Sequence, residues 1–212
     1  MDRPVTDAER ARALQQYGRR ASVYDRELAA FEPIRRNAIA RLRLQPGDAV
    51  LDVGCGTGLS FAQLQSAIGA AGQVTGIEQC HEMLALAQAR VAQAGWNNVT
   101  LLHSAVEDSH IGARGDAALF HFTHDILRNP QAIGNVMQCL RPGGRVVAVG
   151  LQWSYPWAWA TNWWVWLAAL HSVSKLEGLD QPWSLLAQHL DQLEVSTTWQ
   201  GGVFIASGVR RP

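Results

Sequence analysis

The sequence feature that most constrains the fold is a glycine-rich loop after a short apolar run. Residues 50–58 have the sequence VLDVGCGTG, with Gly54, Gly56 and Gly58 at alternating positions. Glycine adopts backbone conformations closed to other residues and lets a ligand approach the main chain closely. A helix that begins after such a loop offers unpaired N–H groups in its first turn. In an open parallel sheet, ligands bind in this crevice at the carboxyl ends of the strands.

Apolar runs and helical stripes alternate along the rest of the chain. Strands are expected at residues 48–54, 73–77, 99–102, 117–122 and 145–150, with amphipathic helices between them. Two further apolar segments, 193–198 and 203–209, flank a Gly-Gly pair and predict a terminal hairpin. The pattern predicts an α/β three-layer sandwich, in which helices cover a seven-stranded, mostly parallel sheet with one antiparallel strand.

The charge balance and the cysteines limit the possible binding partners and the cellular location of the protein. The 18 basic and 18 acidic residues cancel, so no excess charge steers the chain toward nucleic acid. Cys55, Cys80 and Cys139 lack metal-ligand spacing, so we expect no metal site and no disulfide framework. The first twenty residues contain no apolar run, which predicts no signal peptide and a cytoplasmic location.

Two acids accompany the glycine loop. Asp52 stands inside the first strand, and Glu78 follows the second. A carboxylate at the first position would repel a pyrophosphate, yet it suits the cationic amino group of an amino-acid ligand. An acid that ends the second strand commonly accepts hydrogen bonds from ribose hydroxyls. A ribose together with an ammonium group, without a phosphate, describes S-adenosylmethionine.

The ordered set VLDVGCGTG, VTGIEQCHEML and LRPGGRVVAVG resembles the class I S-adenosylmethionine-dependent methyltransferases, which have a Rossmann-like fold. Residues 17–25, YGRRASVYD, are similar to the opening of the branch that acts on small molecules, quinones and phospholipid headgroups. In that branch the segment folds over the cofactor. The resemblance implies methyl transfer from S-adenosyl-L-methionine to N, O or C of a small or lipid-like acceptor, with no nucleic-acid partner.

The resemblance also implies an organisation for the single domain, residues 1–212. A helical cap (1–45) would precede a cofactor-binding core (46–150), a tryptophan-rich acceptor or lid region (151–190) and a terminal β-hairpin (191–212). The residues implied for cofactor binding are Tyr17, Asp52, Gly54, Cys55, Gly56, Gly58, Glu78, Gln79, Ala105, Val106, Glu107 and His121. Members of the family usually have Asp where Ala105 stands, so the adenine amino group loses one expected partner here.

Methyl transfer from a sulfonium requires alignment and exclusion of water and needs no metal. An oxygen or carbon acceptor also requires a base. His121 and His124, at the end of the fourth strand, are the candidates because an imidazole titrates near neutral pH. Tyr24 and Tyr17 are weaker candidates.

Six of the nine tryptophans lie between residues 153 and 166, and residues 146–174 contain no Lys, Arg, Asp or Glu. The uncharged helical part is at the short edge of the ~17–25 residues that a membrane span needs, and polar residues interrupt it. We therefore expect no span. Tryptophan suits an apolar pocket or a lipid–water boundary. Acceptor binding, peripheral membrane contact, core packing and a dimer interface remain open.

Two other functions remain open from the sequence. The first is a catalytically silent S-adenosylmethionine-binding subunit or sensor, which production of S-adenosylhomocysteine would exclude. The second is an NAD-linked oxidoreductase. The glycine spacing disfavours it, because Leu59 stands where a dinucleotide fingerprint needs its third glycine.

Overall fold

The computed structural model of the protein describes residues 25, 28–112, 114–155, 157–172 and 178–212, without the side chains of residues 168–172. Its strands are β1 (Ala49–Val53), β2 (Gln73–Glu78), β3 (Val99–His103), β4 (Gly115–His121), β5 (Leu140–Leu151), β6 (Leu190–Thr198) and β7 (Val203–Arg210). Its α-helices are α1 (Glu32–Arg41), α2 (Phe61–Ile68), α3 (His81–Ala94), α4 (His124–Leu127), α5 (Pro130–Cys139), α6 (Trp159–Ser172) and α7 (Ser184–Ala187).

The seven described strands form one sheet in the order β3-β2-β1-β4-β5-β7-β6. Strands β1 to β5 pair in parallel, whereas β7 runs antiparallel to both β5 and β6. This confirms the predicted mostly parallel sheet with one antiparallel strand. The strand order reverses between β1 and β4, and a crevice opens at such a point beyond the carboxyl ends of the strands.

The strand register brings the predicted site residues to one edge. Val53 pairs with Ile77 of β2 and with Phe120 of β4. The next residue along each of the three strands is Gly54, Glu78 and His121. Because the strands are parallel, these residues lie side by side at the carboxyl edge of the sheet.

Two hydrophobic clusters cover the two faces of the sheet. Residues of α1, α2, α3 and α6 pack on one face, and residues of α4, α5 and α7 pack on the other. The described helices therefore flank the sheet on both sides, as predicted. Asn129 caps α5, because its side-chain oxygen accepts from the N–H groups of Gln131 and Ala132 at 3.0 and 3.2 Å.

Strand β5 departs from the prediction, because it begins at Leu140 rather than at residue 145. Gly115 pairs with Leu140, and Ala117 already pairs with Arg145. Extra residues of β5 therefore bulge out, and Gly143 supplies a left-handed conformation with φ of 75°. Within the part of the chain that the structure describes, no helix combines the length and apolarity needed to cross a bilayer.

Candidate active site

The glycine loop connects β1 to α2 and is held against β2. The Cys55 N–H donates to the Ile77 carbonyl at 3.0 Å, and the Gly58 N–H donates to the Cys55 carbonyl at 2.9 Å. Gly54 has a φ of 70°, and a Cβ added there would lie 2.6 Å from Cγ2 of Thr123. Glycine is therefore required at this position both by the left-handed backbone and by the segment after β4 that packs on it.

Glu78 ties the glycine loop to the beginning of α3. Its Oε2 accepts from the Gly56 N–H at 3.0 Å, and its Oε1 accepts from the Cys80 N–H at 2.7 Å. Burial raises the pKa of Glu78, and the N–H groups of Cys80 and Gly56 oppose this rise. An ionised carboxylate offers about four acceptor positions. The Gln79 N–H also opposes the rise, and the remaining acceptor capacity of the carboxylate is open to ribose hydroxyls.

Asp52 is a buried carboxylate with an unused oxygen. The residue is 1% exposed, and its Oδ2 has no hydrogen-bond partner among the described residues. Burial raises the pKa of Asp52 to about 7; the Glu78 carboxylate adds to the rise, whereas the Arg35 guanidinium and the Ser60 hydroxyl oppose it. A buried oxygen without a donor is destabilising, and a cationic ligand group beside it would remove that cost. The site thus suits an ammonium group.

Arg35 of α1 is a buried charge that sequence reasoning missed. It is 2% exposed, and its Nε has no partner among the described residues. One guanidinium N–H donates to Glu32, which also accepts from the side-chain amide of Gln63 on α2. The positive charge of Arg35 opposes the rise in the pKa of Asp52 that burial causes, and it adds to the fall in the pKa of His121. A guanidinium with a free N–H in this position suits a carboxylate of the ligand.

Asp25 contacts the glycine loop from the N-terminal side. Its two carboxylate oxygens accept from the Thr57 hydroxyl and from the Arg90 guanidinium. Arg90 Nε also donates to the Thr57 carbonyl at 3.0 Å. One residue of the predicted N-terminal cap therefore supports the loop directly. Tyr17 and Tyr24, which the sequence analysis named, lie outside the described residues.

A short turn follows the carboxyl end of β3. Ala105 precedes a short turn in which Val106 is buried and Glu107 is half-buried. Asn135 of α5 holds this turn by donating to the carbonyls of Val106 and Ser109 at 2.7 and 2.9 Å. The Asn135 side chain therefore fixes the turn that contains the positions predicted to border an adenine.

Gln79 lies between Glu78 and Cys80 at the end of β2. Its carbonyl accepts from Nε2–H of His103 at 3.1 Å, and His103 pairs with Glu78 across the two strands. The predicted ribose-side and adenine-side residues thus lie on neighbouring strand ends.

The two histidines after β4 occupy different environments. Nε2 of His121 is buried and has no partner among the described residues. Burial, and then the charge of Arg35, lowers the pKa of His121 to about 3. His124 is 3% exposed and donates from Nε2 to the Leu151 carbonyl at 3.0 Å, and burial lowers its pKa as well. The near-neutral pKa on which the sequence prediction of base catalysis rested therefore does not hold for His121, and the pKa of His124 is shifted in the same direction.

Four aromatic rings from separate parts of the chain form a cluster beside His121, which we call the aromatic wall: Phe31, Phe122, Trp164 and Trp199. The ring centroid of Phe31 lies 4.8 Å from that of Phe122 and 4.7 Å from that of Trp199. Trp164 lies 5.0 Å from Trp199, and His121 lies 4.9 Å from Phe122. Such a surface suits a flat, apolar molecule at the carboxyl edge of the sheet.

The tryptophans of residues 151–190 divide between the core and the surface. Trp153 and Trp164 pack against the core cluster. Trp157, Trp159 and Trp163 are 77%, 78% and 60% exposed. Helix α6 therefore has one side against the core, while exposed Trp163 contacts only its neighbour Trp166 among the described aromatic rings, at 5.2 Å between centroids.

A glycine loop lies at the reversal of strand order, with one carboxylate inside the first strand and another at the end of the second, in a Rossmann-like fold. Residues 50–144 match the family model described as a methyltransferase domain. This part of the chain, just under half of it, is therefore similar to a methyltransferase domain.

Curated methyltransferases and solved methyltransferase structures are also similar to the chain. The chain is 30% identical over 120 residues to a demethylmenaquinone methyltransferase of Shouchella clausii, covering 54% of this chain and 50% of the relative. It spans about half the length, or less, of the curated relatives it matches.

Two solved structures show the same fold. An O-methyltransferase of Thermotoga maritima gives a TM-score of 0.64 at 16% identity, with 85% of this chain and 66% of the other covered. The N-methyltransferase NodS of Bradyrhizobium japonicum gives 0.61 at 17%, with 87% and 98% covered.

Proposed function

We propose that the protein transfers a methyl group from S-adenosyl-L-methionine to a small apolar or amphiphilic acceptor. The observation that carries the proposal is the unused, buried Oδ2 of Asp52 beside the glycine loop. Nε of Arg35 and Nε2 of His121 are also buried without a described partner. An amino acid joined to a nucleoside fits this donor and acceptor set, because it supplies an ammonium, a carboxylate and ribose hydroxyls.

Each part of the cofactor has its own residues in this proposal. Asp52 would hold the amino group, Arg35 the carboxylate and Glu78 the ribose hydroxyls. The residues that would border the adenine are Gln79, Ala105, Val106 and Glu107. Gly54, Cys55, Gly56 and Gly58 would line the methionine part with their main chain. In the same proposal, residues 46–150 form the cofactor-binding core, capped by residues 1–45, and residues 151–190 border the acceptor.

When bound, S-adenosylmethionine supplies an activated methyl group on a positively charged sulfur. The protein's contribution is then alignment and exclusion of water. The aromatic wall would hold a ring-bearing acceptor beside His121, and Asp25 and Arg90 would hold the glycine loop in place. The relatives named for demethylmenaquinone support an acceptor of this kind, since that name implies an apolar ring.

The proposal is tested by incubating the protein with isotopically labelled S-adenosylmethionine and a lipid extract. We expect label to enter molecules that partition into organic solvent, with an equal amount of S-adenosylhomocysteine formed. The Glu78→Ala variant serves as the inactive control. Cofactor binding without S-adenosylhomocysteine in any extract would instead identify a silent binding subunit.

We propose that His121, rather than His124, contacts the reacting groups, and that it does so as a neutral imidazole. With its pKa lowered to about 3, His121 stays uncharged throughout the neutral range. The ratio of the wild-type kcat to that of His121→Asn should therefore stay constant between about pH 6 and pH 8. A fall in the wild-type rate near pH 6.5 that disappears in His121→Asn would contradict this role.

We also propose that the exposed tryptophans contact a lipid surface from which an amphiphilic acceptor is taken. The side chains of Trp157 and Trp159 protrude from a stretch without charged residues, and an indole favours the lipid–water boundary. The protein should co-sediment with phosphatidylcholine vesicles, and the double variant Trp157→Ser/Trp159→Ser should reduce the bound fraction several-fold. Unchanged sedimentation of that variant would refute the contact, and concentration-dependent dimerisation lost in the same variant would assign these side chains to a dimer interface.

A further inference from the structure

A cavity of about 310 Å³ lies over β5, β6 and β7 and beside the end of α1. Its lining includes the side chains of Arg41, Arg43 and Arg145, which come from two distant parts of the chain, and one acidic residue, Glu194. We call this cavity the arginine groove. Nothing in the proposed methyl transfer uses these arginines.

The arginines of the groove lie away from the candidate active site. Arg145 pairs with Ala117 near the beginning of β4, whereas Val149 pairs with His121 at its end. Four residues of strand span about 13 Å at ~3.3 Å per residue. The guanidinium groups therefore gather toward the amino ends of the parallel strands, and the cofactor would bind at the carboxyl ends.

The positive charges in the groove are not neutralised by the described part of the chain. Arg43 and Arg145 take part in none of the ion pairs found between described residues. Among those residues, the Arg41 side chain donates only to the neutral amide of Asn37, at 3.1 Å. Glu194 offsets one of the three charges and leaves two. Like charges held around one cavity repel each other, and a bound dianion would remove that repulsion.

The remaining polar groups of the lining favour a phosphoryl group among dianions. The hydroxyls of Ser196 and Ser207 stand on neighbouring strands within the groove. Guanidinium groups bind phosphate oxygens through paired N–H donors, and hydroxyls add single hydrogen bonds. We propose that the arginine groove binds the phosphoryl group of a small molecule. Its volume, at the lower end of the ~300–1,000 Å³ typical of ligand pockets, fits a phosphomonoester or a diphosphate.

The proposal is tested by calorimetric titration of the whole chain with inorganic pyrophosphate at constant ionic strength. We expect saturable binding that Arg43→Gln and Arg145→Gln each weaken about tenfold or more, since each removes charge-assisted hydrogen bonds. Arg114→Gln is the matched control, because Arg114 is exposed and lies outside the groove. It removes the same charge and should leave affinity within about twofold. Unchanged S-adenosylmethionine binding by Arg43→Gln would show that the variant is folded and that the two sites are separate.

A second arm distinguishes a free phosphoryl compound from a lipid headgroup. Vesicles of phosphatidylcholine with and without phosphatidic acid are sedimented with the wild-type protein and with Arg43→Gln. Binding that requires both phosphatidic acid and Arg43, without affinity for pyrophosphate, would assign the phosphoryl group to a lipid. Absence of saturable binding in both arms, or equal weakening by Arg114→Gln, would overturn the proposal.

Discussion

Replacing Glu78 by glutamine should weaken the binding of S-adenosylmethionine by about a hundredfold or more. The carboxylate already accepts from the N–H groups of Gly56 and Cys80, and its remaining lone pairs would face the ribose. A glutamine amide nitrogen cannot accept, so at least one backbone donor and one ribose hydroxyl would lose a partner. Loss of one ribose hydrogen bond to a charged group, at about 1.5–3 kcal/mol, together with weakening of the other once its acceptor is neutral, accounts for that factor.

Calorimetric titration of Glu78→Gln and Glu78→Ala with S-adenosylmethionine and with S-adenosylhomocysteine measures this effect. Glu194→Gln is the matched control, because Glu194 is exposed on the edge strand β6. Circular dichroism shows whether each variant keeps its fold. An affinity within about threefold of wild type for a folded Glu78→Gln would remove the ribose-binding role from this residue.

Replacing Asp52 by asparagine should have opposite effects on binding and on stability. Binding of S-adenosylmethionine should weaken at least tenfold, because the amino group would lose its counter-charge. The unliganded protein should nevertheless become more stable above pH 7. Burial raises the pKa of Asp52 from an ordinary 3.8 to about 7, so ionising it at neutral pH costs the folded state up to about 4 kcal/mol.

The sign of the pH dependence follows from the same pKa. Between about pH 4 and pH 7 the folded protein keeps a proton on Asp52 that the unfolded chain has released, so the stability contribution of this group falls as pH rises. Urea unfolding of wild type and Asp52→Asn at several pH values measures the difference. We expect the gap to grow from pH 5 to pH 7 and then level off. Asp180→Asn, at an exposed position, is the control, and a gap independent of pH would contradict the buried, unpaired state of Asp52.

The positions of the two acids of the site could be predicted from the sequence, because they depend only on where each acid stands along its strand. Asp52 and Glu78 stand at fixed offsets from the ends of β1 and β2, and parallel strands carry such residues to the same edge. The same logic placed His121 beyond Phe120 at that edge. The sequence could therefore predict which residues lie at this edge of the sheet, because that depends only on their position along a strand.

Arg35 shows what the sequence does not reveal. Arg35 and Arg36 are neighbours in α1 and are indistinguishable by composition, yet the side chain of Arg35 is 2% exposed and that of Arg36 is 66% exposed. Which of two adjacent arginines is buried depends on how the helix is rotated against the sheet. The amino-acid pattern of α1 carries only a weak signal for that rotation, because charged residues occupy both sides.

The histidines and tryptophans illustrate the same limit. The pKa of His121 depends on its burial and on Arg35, which is distant in sequence, so an ordinary value was the only available expectation. Trp163 and Trp164 are adjacent, but the first is exposed and the second packs on the core. Residue type left core packing and surface roles open for this segment, and only the packing of α6 decides which rings are exposed.

The most direct test of the account is a calorimetric titration of the unmodified chain with S-adenosylmethionine, run beside an identical titration with NADH. The arrangement of Asp52, Arg35 and Glu78 around the glycine loop predicts saturable binding of one S-adenosylmethionine per chain and no binding of NADH. A folded chain that binds neither S-adenosylmethionine nor S-adenosylhomocysteine, or that binds NADH in their place, would contradict it.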